Sequence, residues 1–565
     1  MKLIFDKKNF YNLKYEPTSK KNYLKHINFE RQKLKFYLNI LSKELNLLNN
    51  KNYTKKFWST ILDFFLLYHI SICRGYYFSI SRLKKSVINY FKILDPKCYY
   101  KPKDISDYRN FFQRTELGDE QFFSFFINFF FAKNKIKLFY QKKKNQVTAH
   151  KIKKIKFDFT IYKKFVSKIL RYTTKPKAII TGCYWGGADK VNINLNSNGK
   201  ILCTNFFIPQ NEAKYNYTLR KKLLNNILIN NRNQLSKFDK FFFYTLIFSM
   251  PISLLENSCS RINFTENFII NNKNIKIIVN ENLSEDNLLL IAVSRLRSIQ
   301  TFYIEHNALQ IQNIGNIINL IKDKFDKYFT LGWKHKNNSF IPAGSNFVWS
   351  KNIFYKEYRK SFLFISGMPE LKPAYLRSTY SDSGVFNSNK WYFNNLTFFK
   401  CLSELAKKNI VFKKYPYAFS YLLHENYKKL INFISANKIK LLKSEEIEIT
   451  PGLISSAKLV IVNNLSTPSM QSLISNVPTI IFCNYEQNFL AKNYKNFYLD
   501  LLKANILHKN GHTAAKFINK LVNEDAIQIW WTSKKTQNAR KSFLKTNLNL
   551  SLNLSKLLVK EINTL

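Results

Sequence analysis

Glycine, paired cysteine, acidic side chains and long apolar runs are all scarce in this sequence, and each scarcity excludes something. Glycine accounts for only 13 of 565 residues, against a usual share of about 7%. The glycine-rich phosphate loops are missing with it. There is no P-loop, and the GCYWGG run at Gly182–Gly187 lacks the GxGxxG spacing of a dinucleotide site. HExxH, GxSxG and EF-hand patterns are also absent. Seven cysteines lie far apart without a CxxC, mostly among apolar neighbours, as free thiols in a reducing compartment do. The eight histidines form no ligand cluster with cysteine or carboxylate, so no metal or other cofactor is expected. No apolar run reaches the roughly 20 residues that cross a bilayer. The nearest, Phe57–Ile80, is broken by Asp63, His69 and Arg74, and Phe122–Ala132 is too short. The charged start MKLIFDKKNFYNLKYEP has no signal-peptide core. A cytoplasmic protein is expected, at most loosely peripheral on the inner membrane.

What is abundant is positive charge: 90 Lys and Arg against 36 Asp and Glu, a net +54. A dedicated nucleic-acid binder concentrates such charge in a stripe or motif, whereas here lysine runs along the whole chain with no zinc-finger, RRM or KH signature. Nucleic acid is therefore not the expected partner. An anionic membrane surface is the better use of the excess, at about 1 kcal/mol per nearby Lys or Arg. Abundant Lys, Asn, Ile and Phe also match what an AT-rich genome writes at degenerate positions, and that reading stands beside the first. A hydrophobic share of 45% supplies enough for real cores.

The grammar changes along the chain. Residues 1–170 read as a helical N-terminal region, with leucines at helical intervals over Asn28–Asn50, a second run over Trp58–Arg82 and a third over Asp119–Ala132. Lysine-rich Gln141–Lys156 reads as a boundary. From 175 to 350, short apolar runs alternate with helical segments: Ala178–Tyr184, Ile275–Val279, Thr301–Ile304 and Tyr328–Leu331. From 355 to 565 the alternation restarts with Phe362–Ser366, Ile410–Lys414, Leu459–Val462 and Thr479–Phe482, and C-terminal helices follow. This predicts two Rossmann-like α/β domains facing a cleft, and such sheets bind ligands at the carboxyl ends of their strands.

Three of those ends carry candidate chemistry. Within 457–482 a buried strand stops at Asn463–Asn464, then Leu465-Ser466-Thr467 turns and Pro468 opens a helix. Ser466 and Thr467 either cap that helix or help its free N–H groups receive a phosphate, and both readings stand. In Phe302-Tyr303-Ile304-Glu305-His306-Asn307 a Glu-His pair sits where a strand runs out, before a loop containing Gly315. His306 there suits a general base or a phosphate contact, and a structural hydrogen bond is the plainer reading. In Ser366-Gly367-Met368-Pro369-Glu370, small residues let a ligand approach the backbone.

With these segments in place, the chain resembles a family of bacterial transferases encoded with surface-polysaccharide and O-antigen genes. The likeness is carried by Ala457–Phe482, Tyr498–His508, Trp530-Trp531 and Ala539-Arg540. It extends in order to Leu331-Gly332-Trp333, Met368-Pro369, Leu45-Asn46, Phe57-Trp58 and Tyr76-Tyr77. That family is similar to GT-B glycosyltransferases and, more distantly, to capsule-building enzymes that use CMP- or CDP-activated donors. The resemblance implies a nucleotide-sugar or CMP/CDP-type donor in the second domain, its phosphates met by Ser466 and Thr467 with Asn464, Gly367 and Lys414. It implies a glycan or lipid-linked acceptor on the side of the first domain, with His306 and Glu305 as the catalytic pair and no metal requirement. Two departures stand out. The family carries Gln-His-Gly-Gly where this chain has Glu305-His306-Asn307-Ala308, and an arginine before the Tyr-Pro of the second domain is replaced by Lys413 and Lys414. The first departure motivates an alternative, a catalytically degenerate homologue that binds a glycan or partner. The net charge motivates another, a basic protein binding nucleic acid or a membrane surface.

Overall fold

A computed structural model of the chain describes residues 20–80, 91–112, 116–131, 138–141, 175–183, 187–209, 213–305, 318–335, 337–344, 361–367, 388–414, 425–442, 450–483, 495–547 and 554–563. The N-terminal part is helical, with helices Lys20–Asn49, Lys55–Ile80, Ile105–Phe112 and Glu116–Phe131 and one short parallel pair, β1 (Phe91–Leu94) with β2 (Leu138–Gln141). These helices are no separate body. Leu34, Tyr37, Leu41, Phe65 and Phe122 share one apolar cluster with Phe241, Phe242 and Leu246 of the helix Lys237–Ser249. One carboxylate, Asp239, bonds to both parts. Asp239 closes a capping box with Ser236 at the start of that helix, and its Oδ1 also accepts from Lys33 Nζ and Tyr37 Oη, each at 2.6 Å.

The helix Lys55–Ile80 is pinned to the first α/β unit by a buried ion pair, Lys324 Nζ to Asp63 Oδ2 at 2.5 Å, with Lys324 also donating to the Ser59 carbonyl. Removing one partner of such a pair leaves a charge without compensation in the interior. Asp63→Ala is expected to lower unfolding stability by about 3–5 kcal/mol in urea titration, whereas Asp63→Leu combined with Lys324→Met restores most of it.

The first sheet joins β3 (Ala178–Thr181), β4 (Ile201–Cys203), β5 (Ile277–Asn280), β6 (Gln300–Ile304), β7 (Lys327–Thr330) and β8 (Phe340–Pro342). They lie in the order β4-β3-β5-β6-β7-β8. The second joins β9 (Ser361–Ile365), β10 (Ile410–Lys413), β11 (Lys440–Leu441), β12 (Ala457–Val462), β13 (Thr479–Phe482) and β14 (Leu507–His508) as β11-β10-β9-β12-β13-β14. Every neighbouring pair is parallel. Both sheets are Rossmann-like, and each has one place where the winding reverses: between β3 and β5 in the first, between β9 and β12 in the second. The crevice at such a reversal, beyond the strands' carboxyl ends, is where this kind of sheet takes a ligand.

The helix that closes the chain, Leu554–Asn563, leaves the second sheet and buries Leu554, Leu558 and Ile562 among Ile277, Val279 and Phe302 of the first. Lys327 pairs with Glu561 beside it. Leu331, just past β7, lies in one apolar cluster with Leu465 and Met470, so the carboxyl edges of the two sheets meet. Among the described residues no helix is long and apolar enough to cross a membrane.

Candidate functional site

At the reversal of the second sheet, three strand ends come together. β12 ends at Val462, and Asn463 turns its amide back. Its Oδ1 accepts the Gly367 N–H at 2.6 Å, and its Nδ2 donates to Asn395 Oδ1 at 2.8 Å. Asn464 lies directly over Gly367: a Cβ built on that glycine would sit 2.2 Å from Asn464 Nδ2 and 2.6 Å from its Cγ. Asn464 Oδ1 in turn accepts the Ser466 hydroxyl at 2.8 Å. Gly367, Asn464 and Ser466, expected from sequence as one phosphate site, are therefore packed in one chain of contacts.

Thr467 opens the helix Thr467–Ile474, with Ser466 as its N-cap in extended conformation. Ser469 closes the first turn, its hydroxyl accepting the Ser466 N–H at 2.9 Å and donating to the Ser466 carbonyl at 2.7 Å. Pro468 has no N–H, so the Thr467 N–H is the donor at the open end, where the positive end of the helix dipole also lies. The arrangement can hold an anion against the Thr467 N–H and hydroxyl, the Ser466 and Ser469 hydroxyls being already donated to Asn464 and the Ser466 carbonyl.

Two lysines lie at the end of β10, one inside the strand and one just beyond it. Lys414 is half-buried just beyond the strand. Lys413, its last residue, is buried. Lys413 stands opposite Ile365, and Ile365 opposite Val462, so the three form one row across the carboxyl edge. Phe412 points the other way, stacking on Phe364 at 5.0 Å. Burial alone brings the Lys413 amine down to about 8. Sequence reasoning gave the phosphate role to Lys414. The signal for Lys413 was a charged residue closing an otherwise apolar run.

On the first sheet, Glu305 follows β6 and is 1% exposed. Its Oε2 accepts the Leu331 N–H at 3.0 Å and the Trp333 indole N–H at 2.6 Å, and Oε1 has no partner among the described residues. Desolvation raises its carboxyl to about 8 despite those two bonds. The Leu-Gly-Trp segment thus serves to hold Glu305. His306, Asn307, Ala308 and Gly315 lie outside the described residues, as do Met368-Pro369-Glu370 and the Tyr184–Gly186 part of the GCYWGG run. At this sheet's reversal, Thr181 Oγ1 donates to Asn287 Oδ1 at 3.1 Å, and Gly182 takes φ +66° with Asn287 close above it. Asn280, wholly buried at the end of β5, has neither amide atom partnered among the described residues. Sequence reasoning passed it over, although a lone amide ending Ile275–Val279 was its visible sign. Among the described residues no group of three or more His, Cys, Asp or Glu side chains is placed to hold a metal ion.

The sequence profile described as LIC12162 family transferase matches residues 2–562. No curated protein matches the chain. Among solved structures it is similar to the UDP-GlcNAc 2-epimerase from Methanocaldococcus jannaschii, at 12% identity over 69% of this chain and 100% of that one, with a TM-score of 0.38. It is also similar to MurG from Acinetobacter baumannii, at 10% identity over 69% and 100%, with a TM-score of 0.37. A third is the wall teichoic acid polymerase TagF, at 10% identity over 71% and 93%, with a TM-score of 0.34. All three overlaps are loose.

Proposed function

Since the chain belongs to the LIC12162 family of transferases, we propose that it is a GT-B-like glycosyltransferase. In this reading it moves a sugar or related group from a nucleotide-activated donor onto a glycan or lipid-linked acceptor, in the assembly of a bacterial surface polysaccharide. The observation that carries this reading is the linked set Gly367–Asn464–Ser466 at the winding reversal of the second sheet, opening onto the start of Thr467–Ile474. Such a site suits the phosphates of a CMP-, CDP- or UDP-linked donor. The Thr467 N–H and hydroxyl, Lys414 and the Ser466 hydroxyl, once it turns from Asn464, would bind the phosphate, and the fixed helix dipole would stabilise the negative charge that grows on it as the bond to the sugar breaks. That role needs no metal ion.

The acceptor would enter from the first sheet, whose carboxyl edge meets the site through Leu331 and Leu465. His306 would take the proton from the attacking hydroxyl. Glu305, buried and bonded to Leu331 and Trp333, would support the position from which the chain continues to His306 rather than reach the substrate itself. The net charge of +54 supports a loose hold on an anionic inner-membrane surface, where a lipid-linked acceptor would be found.

A thermal-shift screen against CMP, CDP, UDP and GDP tests the donor site. A ligand bound only by the folded state at 100 times its Kd adds about 2.7 kcal/mol, a readily seen shift. One nucleotide is expected to stabilise the wild type, and Ser466→Ala with Thr467→Ala to lower its affinity by roughly 10- to 100-fold, one hydrogen bond to a charged group being worth roughly 1.5–3 kcal/mol. Wild-type protein that responds to no nucleotide would defeat the reading. Binding without transfer onto any glycan acceptor would favour a degenerate homologue.

A further inference from the structure

Five cations are buried among the described residues: Arg220, Arg261, Lys324, Lys413 and Arg540. Four have partners. Arg220 is held by Glu256 and by the Ile247 and Met250 carbonyls, and Arg261 by Asp286 and Glu285. Lys324 is held by Asp63 and the Ser59 carbonyl, and Arg540 by Gln537 and the Leu473 carbonyl. The Lys413 amine makes neither a hydrogen bond nor an ion pair among the described residues, although the residue is 1% exposed and its carbonyl accepts the Ser366 N–H. An interior amine without a partner opposes folding, because burial removes water and nothing replaces it. Among the described residues the other interior cations are paired, so the exception marks a position where a charge is kept ready for something else.

Its place in the sheet says what that is. Lys413, Ile365 and Val462 stand side by side at the carboxyl edge, about 4.8 Å from strand to strand. Gly367 follows Ile365 by two residues, and Asn463-Asn464-Leu465-Ser466 follows Val462 directly. The row shares a sheet face with the apolar cluster of Ile365, Val460, Val462 and Ile454, the opposite face from Phe412 and Phe364. The edge thus carries an unpaired amine two strands from a helix start that offers N–H and hydroxyl donors. A diphosphate, with negative charge on both of its phosphorus centres, spans such a pair of anion contacts.

We propose that Lys413 is the anchoring cation of this site and receives the diphosphate of the ligand whose other phosphate oxygens meet the start of Thr467–Ile474. The proposal rests on the reading of the second domain as the donor side and narrows it to donors carrying a diphosphate. Its sign is a trade of stability against binding. Lys413→Met keeps the length of the apolar stem and removes the charge, so the ligand-free variant should melt at the wild-type temperature or above it. The same variant should lose affinity for inorganic pyrophosphate by roughly 10- to 100-fold, the range for a hydrogen bond to a charged group.

The test is thermal shift and calorimetric titration of wild type and Lys413→Met with orthophosphate, inorganic pyrophosphate, CDP and UDP. Should the methionine variant not fold, Lys413→Gln carries the same comparison. Pyrophosphate and nucleoside diphosphates that stabilise the wild type and leave the variant unmoved establish the anchor. Undiminished diphosphate binding by the folded variant overturns it while leaving the nucleotide-donor reading intact. A pyrophosphate response lost in the variant, with no gain from any nucleoside, retains the anchor and removes the nucleotide donor instead. Wild-type protein indifferent to pyrophosphate, CDP and UDP alike overturns the anchor.

Discussion

Gly367→Ala is expected to abolish nucleotide binding in the thermal-shift screen while leaving a folded protein. The methyl group would arrive 2.2 Å from Asn464 Nδ2, 2.6 Å from its Cγ and 3.0 Å from Asn463 Oδ1. Side chains do not approach so closely, so Asn464 has to move. It cannot do so freely, since its Oδ1 holds the Ser466 hydroxyl. Asn463 is equally tied, between the Gly367 N–H and Asn395. The displacement therefore reaches the helix start that the proposed phosphate site depends on. Overpacking of this kind costs about 1–3 kcal/mol, and a shift of about 1 Å in a positioning residue can reduce productive binding about 100-fold. Melting temperature with and without the best nucleotide separates the two effects. A variant that melts lower but keeps the full ligand response would show that the Gly367–Asn464 contact belongs to folding alone.

A second large effect should appear in the pH dependence of stability, through Glu305. Its carboxyl moves from 4.5 to about 8 on folding because burial disfavours the charge. Between those values the folded state holds a proton that the unfolded state has released. Stability falls as pH rises through that window and levels off above about 8. Each pH unit of displacement corresponds to about 1.4 kcal/mol, so the total reaches several kcal/mol. Glu305→Gln keeps the oxygen that accepts from Leu331 and Trp333 and cannot ionise. Near pH 5 the variant should match the wild type, and at pH 9 it should be clearly more stable in urea titration. Equal pH profiles for the two proteins would mean that Glu305 stays charged in the fold. The protonated acid has the shape of glutamine, which is the residue that the resembled family carries before its histidine. On this account the departure at 305 changes the pH response more than the geometry.

The site was legible in the sequence to the extent that its parts lay close together along the chain. Asn464, Ser466 and Thr467 were found because a buried strand, a polar turn and a proline-opened helix follow one another within a few residues. Gly367 was found as the small residue after a strand, but its contact with Asn464 crosses nearly a hundred positions and has no local sign. Lys413 and Lys414 were indistinguishable as neighbours. Only the pairing of β10 with β9 buries one and leaves the other half-covered.

The strands divide along the same line. The eight apolar runs read from sequence correspond to β3, β5, β6, β7, β9, β10, β12 and β13, which are the interior strands of the two sheets. Those passed over in these two sheets, β4, β8, β11 and β14, are the four edges, and the small pair β1 and β2 was also passed over, inside the region read as helical. A strand covered on both faces has to be apolar throughout, so its composition alone reveals it. An edge strand of two or three residues is held by its one neighbour and carries no such mark. The sequence by itself thus determined two successive α/β units behind a helical region, because burial is written into the residues that undergo it. The tertiary structure decided where each sheet reverses, and it carried the last helix back onto the first unit. It also left the amine of Lys413 in the interior without a partner among the described residues, since these depend on which distant segments come to lie side by side.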